Sequence, residues 1–159
     1  MTAPALITLA HGSRDPRSAA TIKALVAETR LLRPDLRIEP AFLELSRPHF
    51  SKVVDKLVRA GYDEIVVVPL LPSEAYHAKV DVPSQIAEAT ERHPGLQIRM
   101  TKILGLEPTF LDVLDRRLRD ALSNARVREL DALVLAAAGS SDPLANQAMG
   151  RLARVWGAR

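Results

Sequence analysis

The chain has 159 residues, 47% of them apolar, which suits one domain with a continuous core and leaves little for a second. It contains no cysteine, so disulfides and thiolate metal sites are excluded and any transition metal must be held by imidazole, carboxylate or carbonyl groups. A net charge of +3 without a basic block, and only 4% aromatic residues, argue against a nucleic-acid partner and read first as a solvated basic surface, with an acidic small molecule facing some of the cations as the alternative.

The apolar run at residues 3–10 is short, lacks a preceding basic segment and continues into a Gly-Ser turn, so it reads as a strand and not a leader. No run approaches the ~20 apolar residues of a membrane span. A soluble cytoplasmic protein with no membrane or nucleic-acid partner is expected.

Along the chain, β-branched apolar runs alternate with segments of helical period, the pattern of βαβ units around a parallel sheet. Residues 5–10 form the first expected strand. A helix over residues 18–32 follows, with Ile22, Leu25, Val26 and Thr29 on one face and Pro34 as its stop. Residues 38–43 read as the second strand. Residues 48–60 read as a helix that buries Phe50, Val53, Val54, Leu57 and Val58, with Gly61 at its C-terminal cap. The run Ile65, Val66, Val67 and Val68 does not alternate, which predicts a central strand over 64–70 buried on both faces. A helix is expected from near Pro83 to before Pro94, then an alternating strand over 96–103 with one wetter face. In the helix expected over 108–124, Leu111, Leu114, Leu118 and Leu122 form the buried stripe. Asp112 with Arg116 and Asp115 with Arg119 are its exposed pairs at helical spacing. A fifth apolar run, residues 132–138, predicts a further strand.

Residues 133–152 repeat residues 6–25. Gly12-Ser13-Arg14-Asp15-Pro16 corresponds to Gly139-Ser140-Ser141-Asp142-Pro143, and His11 corresponds to Ala138. Gly-Ser-x-Asp-Pro is good turn chemistry in any helix start, but agreement of the flanking strand and leucine favours a duplicated unit. The expected division is a first lobe over 1–126 and, over 127–159, the first strand and helix of a second lobe belonging to a longer, two-lobed protein.

In open α/β sheets ligands bind beyond the carboxyl ends of the strands. His11 closes the first strand, Glu44 the second, and His77 lies in the loop after the third. A lone histidine at a strand end is usually a turn residue, whereas two imidazoles and a carboxylate converging there suit cobalt, iron, nickel or zinc. His49 and His93 lack this convergence and read as surface residues at helix ends. Backbone N–H groups of Gly12-Ser13-Arg14 ahead of a helix suit an anion. The segment lacks the glycines of a dinucleotide fingerprint and any Gly-Lys-Ser/Thr, and no Gly-x-Ser-x-Gly elbow is present.

These residues fall in three motifs: Leu9-Ala10-His11-Gly12-Ser13-Arg14-Asp15-Pro16; Ala41-Phe42-Leu43-Glu44-Leu45 followed by Pro48; and Val67-Val68-Pro69-Leu70-Leu71 leading to Tyr76-His77 and Asp81-Val82-Pro83. Over roughly residues 5–122 the chain resembles the sirohydrochlorin cobaltochelatase and ferrochelatase family, chelatases that work without nucleotide. The resemblance implies a flavodoxin-like, doubly wound parallel sheet with its active site between two lobes, supplied by one duplicated chain or by a dimer. It makes His11, Glu44 and His77 the metal-binding and proton-accepting set. The metal, cobalt, iron or nickel, would be a substrate, with no organic cofactor, and the other substrate would be sirohydrochlorin. Ser13, Arg14, Arg47 and Lys79, near the same strand ends, are candidates to meet its carboxylates. Two departures stand out: Pro72-Ser73-Glu74-Ala75-Tyr76 lacks a glycine common in the family, and Glu107-Pro108 replaces a common His-Pro pair. The rival readings are a metal or tetrapyrrole carrier without turnover, and a regulatory domain of the same fold without metal.

Overall fold

The structure, a computed structural model, describes residues 3–71, 80–104, 108–137 and 139–159. It comprises two compact units, Met1–Leu104 and Gly105–Arg159. The lobe boundary expected at 126/127 falls inside the second of them.

In the first unit the chain runs β1 (Ala5–Ala10), α1 (Pro16–Leu32), β2 (Ile38–Phe42), α2 (Phe50–Arg59), β3 (Glu64–Pro69), α3 (Val82–Arg92) and β4 (Gln97–Met100). All pairings are parallel and the strand order is β2-β1-β3-β4. This is a doubly wound α/β sheet of flavodoxin-like order. The order reverses between β1 and β3, and in open α/β sheets ligands bind beyond the carboxyl ends of the strands at such a reversal.

One sheet face carries the core. Ile7, Leu9, Ile65 and Val67 pack with Phe50, Val53, Val54 and Leu57 of α2 and with Val82 and Ala89 of α3. Burying each large side chain stabilises the fold by about 1.5–3 kcal/mol, so α2, with four fully buried residues, is the main brace. Gly61 adopts φ 88° just past that helix, the left-handed cap anticipated for it.

The other face is thinner. Of α1, only Val26 is buried, and Leu25 is 47% exposed, so the expected stripe of Ile22, Leu25, Val26 and Thr29 is narrower than its spacing implied. Arg30 supplements this weak apolar attachment by donating to the carbonyl of Ile38 and to Glu39, a buried carboxylate that also meets Arg37 at 2.6 Å and Lys56 at 3.0 Å. The same thinness corrects the reading of β3. The strand is central, but it alternates between buried Ile65, Val67 and Pro69 and half-buried Val66 and Val68, because α2 and α3 cover only one of its faces. Edge strand β4 is shorter than the expected 96–103 and is exposed at Gln97, Arg99 and Met100, with only Ile98 half-buried, so both faces and not one are wet.

His93 is not a free surface residue. Its ring nitrogen Nε2 lies 3.0 Å from Oδ1 of Asp55, and Arg92 Nη1 is also 3.0 Å from that oxygen, which ties the end of α3 to α2. The hydrogen bond from His93, with the positive charge of Arg92 beside it, holds the Asp55 carboxyl below the usual carboxylate range. A carboxylate with a depressed folded-state pKa stabilises the fold above its unfolded pKa, and that contribution disappears as pH falls through the folded value. Asp55→Asn is therefore expected to cost about 1–2 kcal/mol at pH 7 and much less at pH 3. Urea denaturation at the two pH values checks this, and an equal loss at both would contradict it.

The second unit contains α4 (Pro108–Ala125) and α5 (Pro143–Gly157). Leu111 is buried and Leu114, Leu118 and Leu122 are half-buried, the stripe expected of α4. The carboxylates of Asp112 and Asp115 both take partners at or just past the end of α5, and Asp115 also keeps the favourable charge of Arg119 expected at helical spacing. Asp112 meets Arg159 at 2.7 Å, and Asp115 accepts from Trp156 Nε1 at 2.7 Å. These two carboxylates fasten the end of α5 to α4. The strand expected over 132–138 is not formed at the described residues 132–137. Leu133 is 49% and Val134 86% exposed; an apolar run becomes a strand only when an edge is there to take its backbone hydrogen bonds.

Candidate metal centre

Register brings the first two candidate residues together. The β1–β2 ladder pairs Ala10 with Phe42 and continues past both strands, with Leu43 N–H donating to Ala10 C=O at 2.9 Å and Glu44 N–H to His11 C=O at 3.0 Å. The loop after β2 is closed at its base by Phe42 N–H on Pro48 C=O at 3.0 Å. His11 Nε2 and Glu44 Oε1 end 3.2 Å apart, with a third of the imidazole and about half of the carboxylate side chain open to solvent.

Gly12 allows the approach. It has φ +100°, and a Cβ placed on it would lie 1.8 Å from Glu44 O, well inside van der Waals contact. After it, Asp15 caps α1 by accepting from Arg17 N–H at 2.9 Å, and Ser13 Oγ accepts from Asp15 N–H at 3.0 Å. The Arg17 guanidinium holds the Asp15 carboxyl below its usual range.

The second copy of the motif has the same geometry. Gly139 has φ +79°, Ser140 Oγ accepts from Asp142 N–H at 3.1 Å, and Asp142 caps α5 by accepting from Leu144 N–H at 2.9 Å. Proline follows each capping aspartate.

Of the other candidates, Ser13 lies in the turn beside His11, and Arg14 and Arg47 are exposed on the two loops. His77 and Lys79 lie outside the described residues, as do Glu107 and the rest of residues 72–79. Among the described residues no three His, Asp or Glu side chains form a metal-binding group; His11 and Glu44 supply two donors. Beside them a cavity of about 310 Å³ is lined by Leu43, Glu44, Asp81, Ser84, Gln85 and Glu88, acidic walls that favour an arriving cation. Two contributors were missed in the sequence. Gly12 was read only as part of an anion-binding turn, and Ser46, buried and bonded to Ser13, falls between the quoted motifs. A small polar residue two positions after a candidate ligand was the only signal for it.

A doubly wound parallel sheet with an imidazole–carboxylate pair at its carboxyl edge defines the class: an α/β protein with a candidate ligand site at the strand ends. The family model CbiX matches residues 5–121, and the chain belongs to that family, the sirohydrochlorin chelatase family that its three motifs resemble. It is 28% identical over 151 residues to a sirohydrochlorin cobaltochelatase of Priestia megaterium, covering 94% of this chain and 49% of that protein. It is 30% identical over 118 residues to a sirohydrochlorin cobaltochelatase of Sulfolobus acidocaldarius, covering 74% of this chain and 92% of that one. The solved structure of SirB from Bacillus subtilis with Fe3+ superposes with a TM-score of 0.80 at 29% identity, covering 98% of this chain and 60% of that one. The chain thus spans about half the length of the curated relatives from Priestia that it matches. Among the described residues no helix is long and apolar enough to cross a membrane.

Proposed function

We propose that this chain inserts a divalent metal, cobalt, iron or nickel, into sirohydrochlorin, with His11, Glu44 and His77 holding the ion and accepting the two pyrrole protons. The observation that carries the reading is the 3.2 Å separation of His11 Nε2 and Glu44 Oε1. Two donors each about 2.1 Å from one ion, at right angles to tetrahedral angles, stand about 3.0–3.4 Å apart. The pair therefore sits at the spacing of neighbouring ligands on one metal. The resemblance of the third motif supports His77 as the third donor.

Insertion exchanges one dication for two protons on the macrocycle, so the site must carry both the ion and a base. A carboxylate beside a neutral imidazole supplies negative charge for the first and acceptor capacity for the second. The relatives bear names of cobalt and iron chelatases. A His/Glu set binds either metal, and supply decides between them, as it does between a place in cobalamin and in siroheme synthesis. Ser13, Arg14, Arg47 and Lys79 are the residues proposed to face the substrate's carboxylates. The cytoplasm is the proposed compartment.

The site is proposed to work against a second lobe, with residues 127–159 belonging to the start of that lobe. Exposure of Leu133, Val134, Leu144 and Val155 supports this, since apolar surface of this kind is ordinarily covered by another chain or domain. Light scattering is expected to show a dimer or larger assembly of this chain, and a strict monomer at high concentration would contradict it.

The test of the function is a Co2+ titration followed by incubation with sirohydrochlorin, read by its visible absorption. A chelatase converts many equivalents. A carrier binds metal without producing metallated macrocycle, and either that result or no metal binding at all would overturn the reading.

A further inference from the structure

Ser46 is buried, 7% exposed, and its hydroxyl closes a two-way contact with one residue of another loop. It accepts from Ser13 N–H at 3.0 Å and donates to Ser13 C=O at 3.0 Å. The duplicated turn has the same two backbone groups on Ser140 and satisfies them differently. There Asn146 Oδ1 accepts from Ser140 N–H at 2.9 Å and Asn146 Nδ2 donates to Ser140 C=O at 2.6 Å. Asn146 stands six residues along on the same turn and helix. Its counterpart in the first copy is Ala19, which has no group to do this.

The turn can therefore be closed by its own helix. In the first copy it is closed instead from 33 residues away, by the loop that carries Glu44. That loop is strained where it does so: Leu45 has φ 59°, and Ser46 N–H reaches Glu44 C=O at 2.6 Å across a three-residue turn. A non-glycine residue keeps such a conformation only when its neighbours are fixed. Glu44 is fixed on one side by its N–H on His11 C=O and on the other by Ser46 on Ser13.

We propose that Ser46 is a positioning residue, whose hydroxyl locks the Glu44 loop to the His11 loop and so holds imidazole and carboxylate at the spacing of two ligands on one ion. The inference rests on the metal reading of this pair. A merely structural Ser46 would satisfy two buried backbone groups and nothing more, and the second copy supplies the means to tell these apart.

Four proteins are compared: the parent, Ser46→Ala, Ser46→Thr, and the double variant Ala19→Asn/Ser46→Ala, which gives the first turn the local clamp of the second. Three quantities are read: melting temperature, Co2+ affinity by titration, and amide hydrogen exchange of Glu44 against that of Ala89 in α3. Ser46→Ala is expected to lower Tm by ~5 °C, to weaken Co2+ about 10-fold and to speed exchange at Glu44 while leaving Ala89 protected. Ser46→Thr, which keeps the hydroxyl, should stay closer to the parent in affinity than Ser46→Ala. The double variant should regain Tm but neither Co2+ affinity nor protection of Glu44; if Ser46→Ala does not fold, this variant alone is read.

Co2+ affinity within twofold of the parent in either alanine variant, or full recovery of affinity in the double variant, would overturn the proposal. So would faster exchange spread equally over Glu44 and Ala89, which marks general loosening. If the parent itself binds no Co2+, the chelatase reading fails, and Glu44 exchange alone then decides whether Ser46 couples the two loops.

Discussion

Alanine at His11 or at His77 is expected to lower metal insertion by ~100-fold or more, with melting temperature within a few degrees of the parent. For His11 the structure supplies the reason. Its imidazole is one-third exposed at the end of β1 and meets Glu44, so its removal takes a donor from the site and opens no cavity in the core. Glu44→Gln should behave similarly, since the amide keeps the shape but has neither the charge to hold a dication nor the basicity to take a proton. Sirohydrochlorin metallation at saturating and limiting Co2+ measures the effect. Partial recovery of the His11 variant at high Co2+ fits loss of a ligand, whereas an unchanged rate in any of the three variants removes that residue from the mechanism.

How far the sequence revealed the fold depends on how local each signal was. Gly61 and Pro34 ended α2 and α1 as expected because caps and breakers act within a few residues. Strand β3 was correctly placed but misread as buried on both faces, since the run Ile65 to Val68 does not tell how many helices lie over each side. Residues 132–137 carry strand composition without strand structure, because pairing requires an edge that composition does not supply.

The site was legible to the same extent. His11 and Glu44 stood out as strand-end residues, and the parallel register of β1 with β2 then placed them together. Ser46 and Gly12 were not legible as site residues, because each matters through a backbone group on a distant loop: Ser13 for the one, Glu44 for the other. The recurrence of Gly-Ser-x-Asp-Pro was plain in the letters, but the interchange of Ser46 with Asn146 emerges only from hydrogen bonds. His93 likewise acquires its role through Asp55, 38 residues earlier in the chain.

Gly12→Ala is expected to be the most damaging single methyl group that the first unit can receive, and the duplicated turn provides its control. Two costs are involved. Gly12 and Gly139 both have positive φ, +100° and +79°, which burdens any alanine with about 1–3 kcal/mol of backbone strain. At Gly139 that is nearly the whole cost, since the nearest atom to an added Cβ, Asn146 Oδ1, is 4.0 Å away. At Gly12 the Cβ would meet Glu44 O at 1.8 Å, Glu44 C at 2.9 Å and Ser46 N at 3.3 Å. These are backbone atoms of a loop already held by Ser13 and His11, so they cannot swing aside as the tip of a side chain would. Separating the two loops costs a further ~1–3 kcal/mol, the usual range for overpacking, and breaks the Glu44 N–H bond to His11. Gly12→Ala should therefore lose about 3 kcal/mol or more by urea denaturation, together with nearly all Co2+ affinity, whereas Gly139→Ala should lose about half as much stability and keep its affinity. Equal losses in the two variants, with Co2+ binding intact in both, would show that conformation alone requires Gly12 and that the close packing of the His11 and Glu44 loops has no part in forming the metal site.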